Sequence, residues 1–267
     1  DSDSGPYLVH VSDTAPGETM VLSGGGYDPA TVEVLVHIPG TLTPQRDELP
    51  AIIEGLARQY GQGPPAPPDA PPQENTAALG PLRATAQTVF AELPRRMLHK
   101  NWPPGFLAIV WLKDGDRLSN PMIVNRPQAW FLLRPTSRPG ELNRLCGANL
   151  VGDRYVPRYV FLRPAAGGAP RELELVTRHR EDGFSEPFVV QFRVPDDLPP
   201  GKYVVFAHNN SGRAYGFTEP LPLKVTAEPR FRQELCVATE HGVVGDSMTD
   251  NLAALQAIID RVGSEGG

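Results

Sequence analysis

Ala15-Pro-Gly-Glu-Thr-Met-Val-Leu-Ser-Gly-Gly-Gly-Tyr27 and Arg138-Pro-Gly-Glu-Leu-Asn-Arg-Leu-Cys-Gly-Ala-Asn-Leu150 are two versions of one pattern. Each reads as a Pro-Gly turn, a short strand with spaced apolar residues, and a Gly that ends it. A second pair follows in the same order. Leu93-Pro leads to Trp102-Pro-Pro-Gly-Phe-Leu-Ala-Ile-Val-Trp111 and then Lys113-Asp-Gly115. Val194-Pro leads to Leu198-Pro-Pro-Gly-Lys-Tyr-Val-Val-Phe-Ala207 and then Asn209-Asn-Ser-Gly212. One more strand closes each copy, Pro121-Met-Ile-Val-Asn125 and Pro222-Leu-Lys-Val-Thr226. Several matches in one order, roughly 100 residues apart, indicate a duplicated domain of β-sandwich size.

Pro-Pro-Gly sets two backbone angles and then supplies a residue free to take positive φ, so the next strand starts in a fixed direction. Alternation after it places Leu107, Ile109 and Trp111 on one face, and Tyr203, Val205 and Ala207 on the matching face of the second copy. These are the predicted core faces, with Phe106 and Lys202 facing outward or meeting the other domain. The first copy carries an insertion over about 40–82. Leu49, Ile52, Ile53, Leu56 and Tyr60 have helical spacing within Arg46–Tyr60, with Pro50 in the first turn. The proline-rich run Gly61–Pro72 reads as a polyproline-like surface loop or a disordered one.

Composition agrees with short strands. The 267 residues include 30 Pro and 26 Gly, and only 21% are charged. A net charge of −6 gives no basic field for a nucleic-acid backbone or an anionic membrane, so neither is expected as a partner. No apolar run approaches the roughly 18 residues of a membrane span. The start at Asp1, without Met, reads as a mature or trimmed terminus. Cys146 and Cys236 leave both a disulfide and two buried thiols open.

From Phe231 the pattern changes. Leu235–Ala238 reads as a strand, Gly242–Ser247 as a turn, and Thr249–Val262 as a helix with Thr249 at its N-cap and Asp250 beside its positive end. Leu252, Leu255, Ile258, Ile259 and Val262 form an apolar stripe widened by Ala254, and Gly263 stops the helix. The stretch Val237–Asp260 resembles the opening signature of the pectate-lyase-like right-handed β-helix superfamily. Gly242, Gly245, Asp246, Thr249, Asp250, Ala254, Leu255, Gln256, Ala257 and Ile258 match it, while His241, Ser247 and Asn251 depart from it.

That resemblance implies a helix capping the end of a parallel β-helix whose groove and catalytic side chains lie on later coils. The expected architecture is therefore mainly β: Ig-like sandwiches at 1–127 and 128–229, then the first strand and cap helix of a truncated β-helix at 230–267. The function it implies is the accessory front of a secreted, cell-surface or periplasmic polysaccharide-degrading enzyme, a lyase or a glycoside hydrolase. Calcium would enter only if the parent is a lyase, and polysaccharide would be met through the parent. The alternatives are a carbohydrate- or surface-binding structural module, and a phage tail-spike-like protein.

No catalytic, cofactor-binding or metal residue is assigned. Asp246 and Asp250 offer oxygens to calcium, but a turn-plus-cap role explains both. His10, His37, His99, His179, His208 and His241 show no metal-ligand spacing. Gly24-Gly-Gly26 lacks a following Lys-Ser/Thr and reads as a turn. For sugar stacking the candidates are Trp130, Phe131, Tyr215 and Phe217, since flat rings pack on sugar C–H faces. Trp130 and Phe131 sit where one copy hands over to the other, where inter-domain packing is expected. Trp102 and Trp111 belong to the repeated turn and core face. Asn209-Asn-Ser211 matches a glycosylation acceptor.

Overall fold

A computed structural model of the chain describes residues 5–15, 17–39, 49–60, 63–93, 107–150, 159–176, 188–227 and 237–264. It divides into two compact units, 1–226 and 227–267. The first is built from β-sheets. Strands β1 (Tyr7–Val11), β2 (Thr19–Gly25), β6 (Thr88–Glu92) and β5 (Arg83–Ala84) lie side by side in that order. Facing them are β4 (Thr76–Leu79), β3 (Glu33–His37), β7 (Ala108–Asp114) and β8 (Arg117–Leu118), with β9 (Met122–Val124) also on β7. Met20, Leu22 and Val89 from one sheet and Val34, Val36 and Val110 from the other fill the space between.

The second set repeats the plan. Strands β10 (Gln128–Leu132), β12 (Leu142–Ala148) and β15 (Val189–Arg193) form a three-stranded sheet. The facing sheet runs β11 (Thr136–Ser137), β17 (Leu221–Val225), β16 (Gly201–His208), β13 (Tyr159–Pro164) and β14 (Arg171–Glu172). Leu145, Val190 and Phe192 meet Val160, Val205 and Leu223 between them.

Matching hydrogen bonds run through both halves. The Gly17 N–H donates to Leu93 O at 2.8 Å, and Gly140 N–H to Val194 O at 2.9 Å. The Glu18 and Glu141 carboxylates accept from Ala15 N and Arg138 N, both at 3.0 Å. Leu112 N donates to Ser119 Oγ (2.8 Å), as Ala207 N does to Thr218 Oγ1 (3.0 Å).

This last pair corrects a register. With Leu112 matched to Ala207, the core face of β7 is Ala108, Val110 and Leu112, which lie in the first core. Leu107, Ile109 and Trp111 are just as buried but point the other way. The expected face was one residue out, and a one-residue slip turns every side chain over. Alternation gave no warning because β7 is covered on both faces. Part of that cover is the proline-rich run: Trp111 Nε1–H donates to Asp69 O at 3.1 Å. Residues 63–72 are irregular surface chain, joined to Trp111 through Asp69. In the second copy, Tyr203, Val205 and Ala207 do lie in the core.

Helix α1 (Leu49–Tyr60) turns Ile53 and Ala57 into a third cluster with Tyr159, Phe161, Phe206 and Phe217, on the outer face of β13 and β16. The inserted helix of the first copy therefore covers the second copy's sheet. No helix among the described residues is long and apolar enough to cross a membrane.

The second unit holds a 3₁₀ turn, Ala238–His241, and helix α2 (Leu252–Ser264). The start of a parallel β-helix expected from the resemblance is not seen among the described residues. Among the described residues the strands pair antiparallel except for the two-residue contact of β11 with β17, and Ala238 lies in the 3₁₀ turn rather than a strand. Leu235 and Cys236 lie outside the described residues. The matching residues satisfy one another locally. Asp246 Oδ1 accepts from Met248 N (2.9 Å) and Thr249 N (2.7 Å), and Asp250 Oδ1 accepts from Leu252 N (2.9 Å). Asn251 bonds back to both N and O of Val244 (2.8 and 2.7 Å). Leu255 N donates to Asn251 O, so Asn251 rather than Thr249 stands at the N-cap.

Candidate functional site

Strict alternation along β10 would send Trp130 and Phe131 to opposite faces of the sheet. The register shows otherwise. Ala129 pairs with Gly147 and Phe131 with Cys146, so β10 has one residue more than β12 at this point. Trp130 is the extra residue of a β-bulge, and a bulge re-aims side chains locally. Burial follows: Ala129 and Leu132 turn to the core, while Trp130 and Phe131 are 54% and 52% exposed. Two neighbouring aromatic residues thus stand on one outer face.

Gly147 makes this geometry fit. A Cβ placed there would lie 1.9 Å from Gln128 O, a backbone atom that cannot swing aside. The first copy has the same device. Leu8 and Val11 turn inward around a bulge at Val9 and His10, and a Cβ on Gly24 would lie 1.9 Å from Tyr7 O. There the two outward residues are Val and His, so the aromatic pair belongs to the second copy alone.

The rest of the face follows from the ladder. Cys146 and Val189 continue the Phe131 row, and Arg144 and Gln191 the next, which Leu133 opens with its N–H on Arg144 O (2.9 Å). Leu142 and Arg193 make a third row. Trp130 Nε1–H donates to Gln128 Oε1 at 3.2 Å, which holds the indole at the sheet edge. Burial pushes the half-buried Cys146 thiol up. The face combines apolar rings with an amide and guanidinium groups.

The other candidates fall elsewhere. Phe217 is fully buried, its ring 5.9 Å from Phe206 and 4.4 Å from His208, so it is core and not a stacking platform. Tyr215 is half-buried in a 3₁₀ turn. Trp102 lies outside the described residues, as do Phe106, His99, His179 and Cys236. The inter-domain role expected for Trp130 and Phe131 is corrected by their exposure. Asn209 is 3% exposed, with its amide donating to Asn149 O and accepting from Ser211 N, so the folded acceptor motif is closed to modification. Both calcium candidates, Asp246 and Asp250, accept from their own turn and helix start, and the Thr249 hydroxyl above all holds Asp246 down at about 2. Among the described residues no group of three His, Cys, Asp or Glu is placed to hold a metal.

Among the described residues His208 is the strongly perturbed base. It accepts from Asn210 N at Nδ1 (2.9 Å), so Nε2 carries the proton and donates to Arg213 O (2.7 Å). Burial holds the imidazole down to about 4, against an ordinary 6.5. The folded chain therefore refuses a proton that the unfolded chain accepts, and stability present above pH 6.5 drains away as pH falls towards 4. The loss expected from this group is about 3 kcal/mol. Urea unfolding at pH 7 and pH 4.5 should show that slope flattened in His208→Gln; an unchanged slope would mean that His208 does not carry it.

No family model matches the chain, and no curated protein does. Solved structures do, at 10–15% identity. One bound to a xylogluco-oligosaccharide matches with a TM-score of 0.36 and 12% identity over 81% of this chain and 39% of that one. A surface glycan-binding protein of Bacteroides ovatus, in complex with a mixed-linkage heptasaccharide, gives 0.30 and 13% over 96% and 52%. A fungal alcohol oxidase with copper gives 0.30 and 15% over 83% and 42%. The chain spans about two-fifths to half of each of these structures. Scores this low carry no argument about function, and the absence of a family match leaves the β-helix resemblance without support.

Proposed function

We propose that this chain is a carbohydrate-binding module, built on two immunoglobulin-like sandwiches at 1–127 and 128–229, and that it takes its ligand on the outer face of β10, β12 and β15. One observation carries the reading: the bulge at Trp130 puts two neighbouring aromatic residues, each more than half exposed, on one outer sheet face. Leaving such rings in water is unfavourable, and a contiguous exposed apolar patch marks a place where something binds. Sugars fit because their C–H faces stack on flat rings while Gln128, Gln191 and Arg144 supply donors and acceptors for hydroxyls. Some of the similar structures hold glycans, which agrees with this reading without adding weight to it. A polysaccharide ligand goes with an exported or cell-surface location.

Retention in native gels cast with soluble polysaccharides tests the proposal. Trp130→Ala should lose about 2 kcal/mol of binding, roughly thirtyfold, as a central aromatic contact does. Wild-type retention that survives in both Trp130→Ala and Phe131→Ala would remove the face from the account.

A further inference from the structure

Resting on that carbohydrate reading, we infer that the preferred glycan is anionic, its carboxylate or sulfate ester engaging Arg144. Across the chain acidic residues outnumber basic ones, 31 to 25. The outward positions of β10, β12 and β15 reverse that balance, because none of them is Asp or Glu. Two arginines stand there instead. Arg193 is occupied: it donates to Gly140 O (3.0 Å) and lies 3.5 Å from Glu174. Nearby Arg134 lies 3.8 Å from Glu141. Arg144 is exposed in the central strand, and no carboxylate among the described residues pairs with it.

Its position gives the charge a use. Arg144 lies two residues along β12 from Cys146, which faces Phe131. Two residues in a strand are about 7 Å, within the reach of an Arg side chain. A chain stacked on Trp130 and Phe131 would pass the guanidinium with its next substituents. The planar fork of Arg fits a carboxylate or sulfate with two parallel hydrogen bonds, which a neutral hydroxyl cannot match. Among the described residues no carboxylate pairs with Arg144 to compete for the fork.

The test compares charged and neutral polymers of one backbone: polygalacturonate against its carboxyl-reduced form, and dextran sulfate against dextran. Wild-type protein should be retained at least about tenfold more strongly by a charged member, with the excess lost on going from 0.05 to 0.5 M salt. Arg144→Gln should lose the excess of charged over neutral polymer, and Arg144→Lys should recover only part of it. The pair showing the excess separates carboxylate from sulfate. Equal retention of charged and neutral forms, or an Arg144→Gln indistinguishable from wild type, overturns the anionic preference while Trp130→Ala still tests the carbohydrate reading. Loss of all retention in Trp130→Ala with no effect of charge leaves a neutral-glycan site. If no polymer is retained and the chain instead self-associates through Trp130, the face belongs to a second copy and both readings fall.

Discussion

Replacing Phe217 by Ala should destabilise the first unit by about 3–5 kcal/mol, the usual cost of emptying a buried aromatic site. Phe217 sits between the second copy's outer sheet face and the inserted helix. Its ring lies 6.4 Å from Phe161, 5.9 Å from Phe206 and 4.4 Å from His208, with Ile53 and Ala57 of α1 in the same cluster. Truncation leaves a cavity that closes only in part, because β13 and β16 are held by their ladder. Urea unfolding at pH 7 should move to a lower midpoint with its slope intact. A loss below about 1 kcal/mol would show that the helix does not seal this face.

Gly147→Ala should be nearly as costly and should also abolish polysaccharide retention. Its new methyl would meet Gln128 O at 1.9 Å, so either the strands separate or the bulge shifts by a residue. The strain is expected to cost about 3 kcal/mol, at the upper end for an added methylene. A shifted bulge turns Trp130 or Phe131 towards the core, and the paired platform disappears. Gly24→Ala is the matching control, since its Cβ would lie as close to Tyr7 O in the other copy. It should lose similar stability yet bind as wild type does. Retention equal in the two variants would separate the bulge from the site.

The paired turns, whose hydrogen bonds recur in both halves, were legible in the sequence, as was the core face of β16 in Tyr203, Val205 and Ala207. Both signals are local, a turn chemistry and a period of two. The corresponding face of β7 was not legible, because a strand covered on both sides has no polar alternate to read. Nor was its cover, since nothing in a proline-rich run says that Asp69 accepts from Trp111. The aromatic pair could be named from sequence but not aimed. Aiming it needs the bulge, and the available trace was Gly at 24 and 147, at one place in both repeats. Arg144 was missed because an arginine in a strand announces nothing until its neighbours are known. The β-helix expectation failed for the opposite reason: an Asp turn and an apolar helix stripe are local motifs whose hydrogen bonds close among themselves, so they do not specify a larger fold.

The most direct test of the account follows the tryptophan indole N–H signals in ¹H–¹⁵N spectra. The chain has three tryptophans, of which Trp111 is fully buried and Trp130 exposed. Oligosaccharides cut from the best-retained polysaccharide should shift the Trp130 indole and the amides of Phe131, Leu133 and Arg144, and leave Trp111 in place. Saturating shifts confined to other strands, with Trp130 unmoved, would contradict the assignment of the site to this face.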